Sequence, residues 1–353
     1  MKSKLHTSRK LKNVLKKLNQ LVGIVFLICC FIPAKGQQVS PVQGGHYAPG
    51  VKNIRDLATP PSGLFVLWYN AYVHSNKYYD KNGNGLTNIP ISNFLPNLHD
   101  VEVNTDLSAF TSIPSIFWAS NATVLGEAKY LAGISVNYFS ADASFITERS
   151  GIIGDNTYTN TFEGKNSGFT DLFIAPVGLS WQVDQFDLTF MYGFYAPTGK
   201  YTSGSADNIG LGFWTHQFQG YGYYYPVEDK STALMFGLTF EANSKIKDMD
   251  VKPGNRFSLE WGISQYLTER LELGIMGGHN WQVTRDKGED VYWNDSYYDR
   301  KSTINANFGY WIMKEHMQLN LKYGFDFGMQ QRFRNNSVLL NLLFIPDILN
   351  GKE

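Results

Sequence analysis

Over most of its length this chain alternates apolar and polar residues with period two, in runs too long for an ordinary globular sheet. In Ser231 to Asn243, Leu234, Phe236, Leu238 and Phe240 interleave with Met235, Gly237, Thr239 and Glu241. In Arg256 to Leu267, Phe257, Leu259, Trp261 and Ile263 stand against Ser258, Glu260, Gly262 and Ser264. From Met317 to Phe327 every odd residue is apolar or aromatic, and Gln318, Asn320, Lys322, Gly324 and Asp326 fall between them. Strict alternation marks a strand whose two faces meet different surroundings. The same pattern places twelve strands at approximately 63–77, 110–121, 126–139, 169–183, 186–197, 208–225, 231–243, 256–267, 271–283, 302–313, 316–328 and 336–345. Most exceed the globular norm of about five or six residues and reach the ~9 to 11 that cross a bilayer at a tilt.

The connections carry as much information as the strands. Links 78–109, 140–168, 244–255 and 284–301 are long and 198–207 and 329–335 intermediate, while 122–125, 184–185, 226–230, 268–270 and 314–315 are short. Longer and shorter links alternate without a break, as in a barrel with short turns on one side of the membrane and loops on the other. The prediction is an all-β fold, a transmembrane antiparallel β-barrel of about 12 strands over 63–345, with 346–353 as a periplasmic tail. Its rival is a soluble β-sandwich, which explains the period of two but neither strand length nor link alternation. Glycines favour the barrel: Gly133, Gly193, Gly237, Gly262, Gly274, Gly309 and Gly324 all fall opposite the apolar face. On a concave lumen wall glycine relieves curvature and admits a close neighbour.

Other classes are excluded by composition. Fifty-three aromatic residues in 353 are too many for a disordered chain, and two cysteines are too few for a disulfide scaffold. The longest apolar run, Leu21 to Ile32, is twelve residues, short of the ~20 of a membrane-spanning helix. It follows a basic stretch and precedes Pro33-Ala34-Lys35-Gly36, the order of a secretory signal peptide over 1–36 with cleavage before Gln37. The long basic stretch also fits an uncleaved anchor, and lipid modification of Cys29 or Cys30 is a further alternative, although Leu27 and Ile28 are bulky for it. Eight of the 31 basic side chains lie in 1–36, so the remainder carries 23 against 31 acidic ones, a net of −8. Nucleic acid is therefore not an expected partner. The lipid bilayer is, and oligomeric state is left open.

Candidate sites follow from parity. The inward face carries Lys129, Asp187, Glu241, Glu260, Glu272, Lys322 and Asp326 beside Met191, Tyr195, Met276 and Trp311. A lysine turned to mid-membrane lipid costs ~2 to 4 kcal/mol, so these groups must face the lumen. They either line a narrow solute path or fill a closed barrel. The segment 37–62 is rich in Gly and Pro and has no strand pattern. It cannot lie in hydrocarbon and belongs in the periplasm or the lumen. Its Gly44, Gly45, His46, Tyr47, Pro49 and Gly50 are candidate plug residues. The aromatics Trp68, Tyr69, Tyr72, Tyr78 and Tyr79, and Tyr221, Tyr223, Tyr224 and Tyr225, read as interfacial girdles. Asp80 to Gly85 opens like a calcium loop, but position twelve is Ile91 where a glutamate is required, so a polar turn is preferred and no metal is expected. The seven histidines lie in no HExxH or Cys/His cluster, and no GxSxG is present. They read as interface or loop residues, and neither enzymatic activity nor a cofactor is expected.

Five stretches carry a family resemblance: Gly44 to Gly50 (GGHYAPG), Pro60 to Gly63 (PPSG), Asp187 to Lys200 (DLTFMYGFYAPTGK), Asn208 to Trp214 (NIGLGFW) and Pro253 to Tyr266 (PGNRFSLEWGISQY). With these the chain resembles the outer-membrane family described as putative transporters of the meta-pathway of phenol degradation. The resemblance implies a porin-like barrel in the outer membrane of a Gram-negative bacterium, taking up small hydrophobic or aromatic compounds. It also implies 37–62 as the plug-like segment, as in long-chain fatty-acid transporters, and brings no catalytic residues. The alternative function is a structural or adhesive barrel acting through loops 78–109, 140–168 and 284–301.

Overall fold

The computed structural model describes residues 40, 43–86, 88–90, 101–150, 157–203, 205, 207–291 and 293–346. The expected signal peptide and nearly all of the tail 346–353 lie outside them. Among the described residues there is no helix. Fourteen strands dominate: β1 (Gly63–Ser75), β2 (Val101–Val124), β3 (Ala128–Ser135), β4 (Tyr138–Ser150), β5 (Thr157–Phe169), β6 (Leu172–Val183), β7 (Phe186–Ala196), β8 (Thr215–Tyr224), β9 (Thr232–Asn243), β10 (Arg256–Tyr266), β11 (Leu271–Gln282), β12 (Arg300–Met313), β13 (Met317–Gln330) and β14 (Asn336–Phe344). Pairing runs β1-β14-β13-β12-β11-β10-β9-β8-β7-β6-β3-β2 and returns to β1, so twelve strands form a closed antiparallel barrel. Closure leaves no unpaired edge in the ring, which a sheet in hydrocarbon requires.

The faces are inverted relative to a soluble protein. Phe236, Ile263, Ile275, Phe308, Leu321 and Leu340 point out and are exposed, while Glu241, Glu260, Asn305, Lys322 and Asn341 are buried inside. All seven glycines singled out above back onto lumen groups. A Cβ at Gly133 would strike Phe117, one at Gly193 would strike Phe173, and one at Gly262 or Gly274 would press on Ile54. Tight turns close the hairpins at one end, with positive φ at Leu125, Gly126 and Glu127, at Asp184 and at Lys230. Such turns match strand twist.

Three links depart from the expected pattern. The second strand begins at Val101, so much of 78–109 is not loop, and 140–168 is largely a hairpin of β4 and β5. Below its middle β2 pairs with β3, and above it with β4. The wall bends at 136–137 and 170–171, where Val136 donates to Pro114 O and Thr170 to Asn137 O. This hairpin lies outside the closed ring. Period two is silent there because neither face of β5 from Gly164 to Phe169 is buried. Conversely 197–214, expected to hold the start of the sixth strand, is a long loop, and β8 begins only at Thr215. That loop packs Phe213 against Ile246, Val251 and Trp293 of the two loops beyond it, capping the long-loop end.

Candidate lumen site

Residues 43–62 run as an irregular strap through the barrel from the long-loop end to the short-turn end. At the long-loop end Ser40 Oγ donates to Asp286 (2.8 Å). At the other end Ser62 Oγ donates to Ser120 O (3.0 Å) and Lys129 Nζ to Pro60 O (2.9 Å). A chain without ladder partners has backbone groups to satisfy, and here the wall's polar side chains satisfy them.

Two carboxylates hold the upper half. Glu241 accepts from His46 N (3.2 Å) and Tyr47 N (2.9 Å). Glu260 accepts from Gly50 N (2.7 Å) and from the hydroxyls of Tyr47 and Tyr221, which lie 2.6 Å apart. Gly45 has φ +63°, and a Cβ there would fall 2.4 Å from Arg256 Cδ and 3.0 Å from Glu241 Oε2. Only glycine supplies both the conformation and the clearance. The His46 ring contacts Thr215 Oγ1 (2.8 Å) and Asp171 Oδ2 (2.9 Å) and stacks on Tyr195 at 4.4 Å. Asp171, at the bend between β5 and β6, also accepts from Gly199 N and Leu211 N. One carboxylate thereby ties strap, wall and capping loop together. His46 is thus no loop or interface histidine: it is buried in the lumen, fixed by polar partners that lie far away in sequence.

The lower half is held by cations and tyrosines. Lys322 Nζ, wholly buried, donates to Gly50 O (2.5 Å), Val51 O (3.2 Å) and Lys52 O (2.6 Å). Asn341 Nδ2 donates to Val51 O (3.0 Å). Arg55 pairs with Glu272 (2.7 Å) and donates to Lys230 O and Ser231 O, bridging to the short turn. Asp187 accepts from Thr59 N (3.0 Å) and the Tyr225 hydroxyl (3.0 Å). Leu57 N donates to the Tyr223 hydroxyl (3.1 Å) and Tyr69 donates to Asp56 (2.8 Å).

The girdle reading therefore needs correction. Tyr221, Tyr223 and Tyr225 are buried inside and only Tyr224 of that run faces outward, while Trp68 and Tyr72 do face outward but Tyr69 and Tyr78 are buried. From Gly220 to Tyr223 of β8 the usual polarity is reversed, with Tyr221 and Tyr223 inward and Gly220 and Gly222 outward. The missed strap contacts Lys52, Arg55 and Asp171 carry no local motif, and Arg256 stands within Pro253 to Tyr266 without a pattern that marks its role.

Not every inward residue meets the strap. Asp326 pairs with Lys301 (3.0 Å) and Asn335 (2.9 Å) in the wall, and Trp311 donates to the Tyr266 hydroxyl (3.0 Å). Met276 is buried in the lumen core, and Pro49 abuts Gly278. Between the strap and β1, β2, β3, β6, β7 and β8 a cavity of about 110 Å3 remains. Leu67, Ile113, Phe117, Phe173 and Met191 give it apolar walls, and His46, Lys52, Ser115, Asn137, Gln217 and Gln219 add polar groups. In the turn after β1, Asp80 Oδ1 accepts from Asn82 N and Asn84 N (both 2.8 Å). That carboxylate closes its own turn, and among the described residues no group of three metal-ligating side chains occurs.

Residues 75–342 match the family model described as "Putative MetA-pathway of phenol degradation". No curated protein matches the chain. Among solved structures it is similar to an outer-membrane channel from Pseudomonas putida F1, with 15% identity and a TM-score of 0.60 over 85% of this chain and 99% of that one. It is also similar to the translocator domain of the autotransporter NalP from Neisseria meningitidis, with 12% identity and a TM-score of 0.43 over 84% and 93%. At 15% identity the likeness to the Pseudomonas putida channel is one of fold.

Proposed function

Because the chain belongs to the family described as the putative MetA-pathway of phenol degradation, we propose that it is an outer-membrane channel of a Gram-negative bacterium, exported by its N-terminal signal. Small hydrophobic or aromatic compounds pass through it passively, with 37–62 as the plug. The observation that carries this reading is the space the strap leaves beside it. Polar anchors reach it from β8 through β11 and β13 and also from β1, β2, β3, β7 and β14, yet between the strap and β1, β2, β3, β6, β7 and β8 the amphipathic cavity remains. A solute moving along that side meets carbon and aromatic surface with scattered hydrogen-bonding groups and the Lys52 side chain, a lining suited to amphipathic molecules. The reading involves no catalysed reaction.

Deleting residues 37–62 tests it. Single-channel conductance in planar bilayers rises if the strap blocks the lumen, and unchanged conductance sinks the plug. The second reading, a structural or adhesive barrel, is favoured by the polar β4–β5 hairpin standing outside the ring. It predicts no solute flux and loss of partner binding when that hairpin is removed.

A further inference from the structure

The outer wall has a gap in its apolar covering. On β8 two successive outward positions, Gly220 and Gly222, carry no side chain. Gly220 stands opposite Phe190 of β7 and Leu238 of β9, and Gly222 opposite Leu188 and Phe236. Gly222 is thus the floor of a groove with aromatic and aliphatic banks. The groove encloses about 940 Å3 and extends to Trp181, Val183, Phe186, Tyr224 and Leu234 at the short-turn end. Asp187 is the one charged residue of its lining, and that carboxylate is already engaged by Thr59 N and Tyr225.

Gly277, another outward glycine of the ring, leaves no such gap. A Cβ at Gly277 would lie 2.2 Å from the Trp261 ring, so the protein covers that position itself. At Gly222 nothing comes nearer than Leu188 Cδ1 at 4.0 Å. Neither Gly220 nor Gly222 has a positive φ, so the backbone does not demand glycine here. What Gly222 provides is room on a surface whose neighbours are all lipid-facing, whereas the Phe190 ring, 3.2 Å from where a Cβ of Gly220 would stand, already covers Gly220.

We propose that this groove binds the acyl chains of a phospholipid of the periplasmic leaflet. The groove is continuous with the lipid-facing belt and ends at Trp181 and Tyr224, whose kind marks the membrane interface. Its size lies at the upper end of pockets that hold whole small ligands. The adjoining turns carry exposed Asp184, Glu228 and Asp229, while Lys230 lies against Asp187. This acidic rim disfavours an anionic head group and suits a zwitterionic one bearing a primary amine, phosphatidylethanolamine. The proposal does not rest on the channel reading, since an impermeable barrel presents the same groove.

The test is lipid carry-over. The full chain is folded into vesicles of equal phosphatidylethanolamine and phosphatidylglycerol, extracted in detergent, and its bound lipid measured by mass spectrometry. Wild type is expected to retain phosphatidylethanolamine preferentially. Gly222→Leu, which fills the groove, is expected to lose it while keeping the heat-dependent gel shift of a folded barrel. Phe186→Ala with Leu234→Ala removes contact instead of adding bulk and guards against a misfolded Gly222→Leu. Losing the contact of about two methylenes weakens retention about tenfold. Equal retention by filled and wild-type barrels, no retained lipid, retention of phosphatidylglycerol instead, or a dimer that Gly222→Leu abolishes would each overturn the proposal.

Discussion

Lys322 and Gly262 show how single residues decide whether the lumen holds its strap. Three strap carbonyls share the Lys322 ammonium, and an unsatisfied buried group costs about 1–3 kcal/mol. Lys322→Met is expected to destabilise the barrel by about 2 kcal/mol, read as a lower temperature for loss of the fast-migrating gel form. A Cβ at Gly262 would sit 3.1 Å from Ile54 Cγ1. Gly262→Val should push the strap off the wall and raise conductance, and adding Ile54→Ala should return it toward wild type. At Asp80 slight burial raises the carboxyl's pKa, but the Asn84 and Asn82 amides outweigh it and hold the group below the usual carboxylate range. Its stabilisation of the turn is present above pH about 4 and disappears as pH falls through the lowered folded value. Protease nicking near Asn82 at acid pH, absent at neutral pH, checks this. The side of the wall on which Glu260 stands follows from period two, but its partners at Tyr47 and Gly50 are about 210 residues away in sequence. No spacing rule reaches them.

Among the elements, legibility followed contact with hydrocarbon. β9, β10 and β13 have lipid on one face and lumen on the other, so alternation delimits them closely. The β4–β5 hairpin, in which neither face of Gly164 to Phe169 is buried, left no period-two signal, although its ladder is continuous from Tyr138↔Phe169 to Ser150↔Thr157. Because it lies outside the ring, cutting it back is expected to leave the heat-dependent gel shift intact. Loss of the shift would mean that the hairpin takes part in closure. β8 misleads for another reason. Its tyrosines alternate with glycine, so hydrophobicity alone assigns them to lipid, whereas their hydroxyls require the polar interior.

For the whole molecule, the barrel and the strap it encloses make one prediction together. Detergent-extracted protein should migrate differently before and after boiling, and liposomes containing it should swell with small aromatic solutes more than with sugars. A shift without swelling would leave the barrel and remove the channel. Strand number, ring closure, antiparallel order and the inside-out polarity were set by the sequence itself, because a bilayer imposes a repeating two-residue demand on every spanning strand. The tertiary structure alone decided the path of 43–62, its anchors at Asp171, Glu241, Glu260 and Lys322, and the inward turn of the β8 tyrosines. Those depend on side chains brought together by barrel closure, and a contact across the lumen leaves no periodic trace along the chain.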